Sequence, residues 1–212
     1  SILAYTLFGG MWSVALTDFI QMIILVVGLT AIAIFAGNMA GGADKVIDLA
    51  TSRDLFKFWP EPTFTDIAFF LAAAVTIMFG SIPQQDVFQR VMSANSEGAA
   101  RKGAVIGGVF YILFAFVPMF IVVSALIVMP EKTADLLKED PQKVMPTLVL
   151  EYMPFAMQVL FFGALLSAIK STASATLLAP SVTFTENIWR QFRPHTSDQQ
   201  QLRTMRITVL VF

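Results

Sequence analysis

Three stretches of this 212-residue chain exclude charge, and a fourth holds a single lysine, each long enough to cross a lipid bilayer. Residues 19–43, 67–85 and 103–130 hold no Asp, Glu, Lys or Arg, and 152–185 hold only Lys170. At ~1.5 Å of rise per residue, about 20 apolar residues in a helix traverse a hydrocarbon core of ~30 Å. The pattern predicts spans at about 14–37, 64–91, 102–129 and 154–182, with a further span starting at about 203–212. The longer polar connections contain Pro60, Pro62, Pro130, Pro141 and Pro146, and a short amphipathic helix is expected around Ala134–Lys138. The expected fold class is an all-α membrane protein.

Composition strengthens this reading. With 56% hydrophobic and 14% charged residues, a water-soluble chain of this length would expose far too much apolar surface. There is no cysteine, which removes disulfides and thiolate metal sites. Zinc spacing, a phosphate-binding glycine loop and a nucleophile elbow are also missing, so no catalytic or cofactor-binding residue is expected and the chain does not read as an enzyme. It begins Ser1-Ile-Leu-Ala-Tyr5 and stops as an apolar run builds at Thr208–Phe212, which reads as a piece of a larger transporter. The expected partners are the lipid bilayer and the remainder of the same chain, with no nucleic acid.

Charge placement predicts an orientation. Residues 90–102 carry Arg90, Arg101 and Lys102 against Glu97, and 186–206 carry Arg190, Arg193, Arg203 and Arg206 against Glu186 and Asp198. Connections 44–66 and 131–151 are net acidic. By the positive-inside tendency the two basic segments are cytoplasmic and the acidic ones external. A multi-pass protein of the bacterial inner (plasma) membrane is expected.

Three polar features lie at membrane depth. In the second span, Gly80-Ser-Ile-Pro83-Gln84-Gln85 sets glycine and proline three apart, which loosens a helix and frees backbone groups beside two amide side chains. Such discontinuous helices build solute sites in secondary transporters; a plain kink with glutamines bonded to neighbouring helices is the alternative. Asp86 and Arg90, four apart, are expected to pair.

In the fourth span Ala168, Ser171, Thr172 and Ala175 follow i, i+3, i+4, i+7 spacing and share a helix face. Two hydroxyl oxygens and a carbonyl suit dehydrated Na⁺; hydroxyls returning bonds to their own helix are the alternative. Lys170 lies roughly 150° from the centre of that face at about 100° per residue. It needs a partner or must lose its proton. In the first span Asp18 is one possible partner for Lys170, or an anion near a helix N-terminus.

These residues resemble the sodium:solute symporter family. Gly9-Gly10 followed by Thr17-Asp18-Phe19-Ile20-Gln21 resembles its "GG…TD.(I/V)Q" segment, and Phe88-Gln89-Arg90-Val91-Met92-Ser93-Ala94 its "QR.(L/M)SA" signature. Ala164 to Ser174 is similar to "A(I/L)(L/M)(A/S)A.MST..S", and Thr185-Glu186-Asn187-Ile188 to "T.(D/N)(I/L)". The motifs occur in the family's order across nearly the whole chain. The resemblance implies part of a five-plus-five inverted-repeat bundle, covering core helices five to eight and the start of nine.

It also implies that the Ala168 carbonyl and the Ser171 and Thr172 hydroxyls are the helix-eight ligands of Na⁺. Asp18 matches an aspartate implicated in sodium passage, while core helix one, which completes the ion cage, is absent from this sequence. Phe79, Ser81, Gln84 and Gln85 are the solute-binding candidates, from the helix break and family position. Two departures are notable. Lys170 stands where most relatives are apolar, and Gln84 replaces a tryptophan of the choline transporters' "GGIPW" region, removing a cation–π surface.

The expected function is sodium-coupled symport that imports a small organic solute. The alternatives are proton-coupled or sodium-independent transport using Lys170, or a transporter-like sensory input domain. A channel is disfavoured, since no charged ring or carbonyl filter is present.

Overall fold

A computed structural model describes residues 2–80, 84–193 and 197–211. Among them the chain is helical and contains no strand. In order the elements are α1 (Ile2–Met39), α2 (Ala43–Ser52), α3 (Phe64–Gly80), α4 (Gln85–Met92), α5 (Glu97–Val128), α6 (Pro130–Glu139), a 3-10 turn (Pro141–Lys143), α7 (Val144–Tyr152) and α8 (Phe155–Thr183). A π-helical segment (Phe184–Trp189), the short α9 (Arg190–Phe192) and α10 (Asp198–Val211) follow.

Three of the described helices are long and apolar enough to cross a membrane: Trp12–Met39, Glu97–Val128 and Phe155–Phe192. Their apolar residues run all round the helix instead of forming one stripe, as expected where several faces meet lipid or other helices. The predicted second crossing is built as two helices, α3 and α4, and Ser81, Ile82 and Pro83 between them lie outside the described residues. The helix expected around Ala134–Lys138 is found as α6, with Pro130 in its first turn, where no backbone donor is lost.

Contacts divide the chain into two compact units. One comprises Ile23–Ala74 and Val105–Leu165. Its core joins Ile32 and Ala36 of α1, Ile121 and Ala125 of α5, Val144, Leu148 and Val149 of α7, and Phe161 of α8. Small residues allow the close approaches. A Cβ added at Gly28 would meet the Ala164 Cβ at 3.5 Å, and one at Gly37 would stand 2.9 Å from the Phe120 ring.

Polar side chains tie the short helices to this core. Buried Thr133 donates its hydroxyl to the Ala125 carbonyl at 3.0 Å. The Gln158 carboxamide donates to the Leu150 and Met153 carbonyls at 3.1 and 3.0 Å, capping the end of α7. Lys132 and Glu151 pair at 2.5 Å.

Helix α1 ends in a Schellman motif. Gly42 N–H reaches the Gly37 carbonyl at 2.9 Å and Gly41 N–H the Asn38 carbonyl at 3.1 Å. Gly41 has φ 91° and Gly42 φ 112°, conformations that a residue with a Cβ resists. After α2, exposed Phe58 and Trp59 and half-buried Phe70 form an aromatic trio with centroids 5.4 to 6.2 Å apart. Nearby Lys57 pairs with Glu61, whose hydrogen bond and charge raise the lysine pKa.

The other unit comprises Ser1–Met22, Val75–Ala104 and Leu166–Phe212. Val14, Ala175, Leu178, Ala179 and Val209 are buried in it. So are the hydroxyls of Ser181 and Thr185, which donate to the carbonyls of Leu177 and Ser181 one turn earlier, both at 2.8 Å. The sequence-stretch motif Thr185–Ile188 falls within the π-helical segment, where Glu186 pairs with Arg190 at 2.9 Å and also accepts from Gln201.

Candidate functional site

Asp18 stands well inside α1, sixteen positions after the first helical residue Ile2. The reading as an anion near a helix N-terminus is therefore corrected, because the macrodipole's influence fades within the first turn. Side chains hold the carboxylate instead. Its Oδ2 accepts from Arg90 Nη2 at 2.7 Å, and its Oδ1 accepts from Ser171 Oγ at 2.6 Å. Its side chain is only 18% exposed, so a charge there needs these charge-assisted bonds.

Residues 72 and 153 positions away in sequence thus meet at one acidic group, joining α1, α4 and α8 within a single unit. Among the described residues the cation paired with Asp18 is Arg90, and the proposed partnership with Lys170 is not the one formed. The expected Asp86–Arg90 pair involves a side chain outside the described set.

The predicted face of α8 has a definite polarity. Ala168 and Ser171 are half-buried, Ala175 is buried and Thr172 is exposed. Ser171 directs its proton at Asp18, while Thr172 donates to the Ala168 carbonyl at 3.1 Å. A hydroxyl carries one proton and two lone pairs. With both protons committed, each oxygen keeps lone-pair capacity for a cation, and the carboxylate beside Ser171 makes that oxygen a stronger donor of electron density. The return bond from Thr172, raised as an alternative to ion binding, is thus formed and does not exhaust its oxygen.

Lys170 is exposed and off this face. Of the solute candidates, Phe79 is exposed near the end of α3. Gln84 is exposed, and its carbonyl accepts the Phe88 N–H at 3.0 Å to start α4. Gln85 is the first residue of α4, with a side chain outside the described set, and Ser81 lies outside the described residues altogether.

Two residues were given no functional role in the sequence reading. Arg90 was given a local partner, although its position in the "QR.(L/M)SA" segment could have suggested a distant one. Gln21, three residues after Asp18 on the same helix face, has a buried Oε1 without a hydrogen-bond partner. An unsatisfied buried acceptor of this kind costs about 1–3 kcal/mol.

The model of the sodium:solute symporter family matches residues 1–212. The human "High affinity choline transporter 1" is 28% identical over 98% of this chain and 37% of its own length. "Sodium/myo-inositol cotransporter 2" of Sus scrofa and "Sodium/glucose cotransporter 4" of Danio rerio are each 25% identical over 98% of the chain, and 35% and 36% of their own lengths. The chain therefore spans about a third of the length of the curated relatives it matches.

Proposed function

Because this chain belongs to the sodium:solute symporter family, we propose that it contributes part of the core of a sodium-coupled importer of a small organic solute. It is an integral multi-pass membrane protein and not an enzyme. The observation that carries the proposal is the 2.6 Å hydrogen bond from Ser171 to Asp18. It joins the hydroxyl face of α8 to the acidic residue of α1, and leaves oxygen lone pairs beside a negative charge. Sodium is held by the Ala168 carbonyl and the Ser171 and Thr172 hydroxyls, with Asp18 on its route. The remaining ligands come from core helix one, beyond this sequence.

The solute is held near the junction of α3 and α4 by Phe79, Ser81, Gln84 and Gln85. Bound sodium favours the state with higher solute affinity, and by linkage the solute raises sodium affinity by the same factor. An inward sodium gradient then drives uptake. Gln84 offers hydrogen bonds in place of an aromatic face, which favours a solute with hydroxyl, amide or carboxylate groups over a quaternary ammonium. The setting is a plasma membrane; the bacterial inner membrane remains part of the reading, although the relatives named above are animal proteins.

The test is uptake of labelled amino acids, carboxylates, sugars and amines by the complete protein, with sodium and proton gradients imposed separately. Ser171→Ala combined with Thr172→Ala removes two hydroxyl ligands and should raise the sodium concentration for half-maximal uptake by at least about tenfold, the equivalent of ~1.4 kcal/mol. An unchanged requirement removes these hydroxyls from the site. A second reading, proton coupling, draws on the placement of a cationic residue, Lys170, immediately before Ser171. Uptake that ignores sodium, follows the proton gradient and changes its cation requirement in Lys170→Met would favour it.

A further inference from the structure

Arg90 has no part in the transport scheme above, yet it holds the carboxylate to which Ser171 bonds. Its guanidinium lies 2.7 Å from Asp18 Oδ2, while Ser171 occupies Oδ1. Arg90 sits in the last turn of α4, an eight-residue helix, where the C-terminal dipole favours a cation. The pair is largely screened on the aspartate side, with 18% of that side chain exposed against 38% of the arginine.

We propose that Arg90 is a tethered cation that competes with the transported sodium ion for Asp18, and that their exchange passes ion occupancy on to α4. The inference rests on the reading of Ser171 and Asp18 as part of a sodium path. An ion approaching the Ser171 oxygen from outside finds Asp18 already answered by a guanidinium and is repelled by it. Sodium must share or displace that guanidinium. By reciprocity, the Arg90–Asp18 bond weakens sodium binding by the same factor by which sodium weakens the bond. Arginine suits the role because its charge is permanent and its guanidinium is more weakly hydrated than an ammonium.

The consequence reaches the solute through chain connectivity. Helix α4 starts at Gln85 and directly follows Gln84, two of the solute candidates. Releasing Arg90 loosens the far end of the same eight-residue helix, so an ion at Ser171 can alter how those amides are presented. Arg90 is in this sense a positioning residue, acting on the ion and the solute through Asp18 and α4.

The experiment uses the complete protein in detergent and measures equilibrium binding of radioactive sodium in the wild type, Arg90→Gln and Arg90→Lys. Arg90→Gln should lower the sodium concentration for half-saturation by roughly tenfold, within the usual range of couplings between sites. A role that merely supports the fold would weaken sodium binding. Arg90→Lys, which loosens the pair while keeping its charge, should shift in the same direction by less, and carries the test should Arg90→Gln fail to fold. In the Asp18→Asn background Arg90→Gln should have no further effect.

A second readout follows α4 itself. With any cysteine outside these 212 residues replaced, and none within them, Gln84→Cys reports through its rate of maleimide labelling. Sodium should change that rate with Arg90 present, and the change should disappear in Arg90→Gln. Unchanged or weakened sodium binding in the Arg90 variants overturns the competition while leaving the sodium reading intact. Wild-type protein that binds no more sodium than Ser171→Ala/Thr172→Ala overturns both.

Discussion

Gly37 is the position where a single added methyl group should be felt most. In Gly37→Ala the new Cβ stands 2.9 and 3.0 Å from two carbons of the Phe120 ring, so the ring or the helix must move. The expected loss is about 1–3 kcal/mol, as for other overpacked cores. Gly28→Ala is the contrast, because its Cβ meets Ala164 at an ordinary 3.5 Å and alanine gains up to ~1 kcal/mol of helix propensity. Thermal unfolding of both variants in detergent should show a lowered midpoint for the first and an unchanged or raised one for the second. At this scale the α8 face was legible in the sequence, since helical periodicity places Ala168, Ser171 and Thr172 together whatever surrounds them. The partner of Asp18 was not. Its arginine lies 72 residues away, and no local pattern records which distant cation closes on a carboxylate.

The elements were legible in proportion to how strongly hydrocarbon penalises charge. Helices α5 and α8 follow their uncharged runs closely. Helix α1 starts at Ile2, well before the predicted 14, because residues 2–17 hold neither charge nor proline to stop it; two side-chain bonds then make the Asp18 carboxylate tolerable in mid-helix. Helices α2 and α7 were read as connections. Each is ten residues or fewer, too short to span, and α7 carries Pro146. Only tertiary packing reveals that Val144, Leu148 and Val149 of α7 are completely buried. The corner between α7 and α8 depends on one side chain. Gln158→Leu removes the donor to both Leu150 and Met153 carbonyls and should cost about 1–3 kcal/mol. Hydrogen exchange should then speed up at the end of α7 and the start of α8, and protection that does not change would show that water replaces the cap.

For the molecule as a whole, the amount of apolar surface left open is informative. Helix α3 buries none of its residues, and Phe64, Phe69, Ile77 and Phe79 are all exposed. Those faces are compatible with lipid or with further transmembrane helices, as expected where the matched relatives are nearly three times as long. Trp59, packed against Phe58 and Phe70, is of the residue type enriched in the belts at membrane–water boundaries, where amphipathic rings settle at the headgroups. The trio lies at the beginning of α3, whose 17 residues extend only about 25 Å at ~1.5 Å each. The rest of the ~30 Å of an average hydrocarbon layer falls to α4, and mismatch between such a crossing and its bilayer is met by local thinning or strain. With rings pinning one end of α3, lipids with longer acyl tails should tug at its other end, where the solute candidates begin. Reconstitution across a series of tail lengths should therefore give slower transport in the thickest membranes, and a rate indifferent to thickness would mean that the helix does not bear that load.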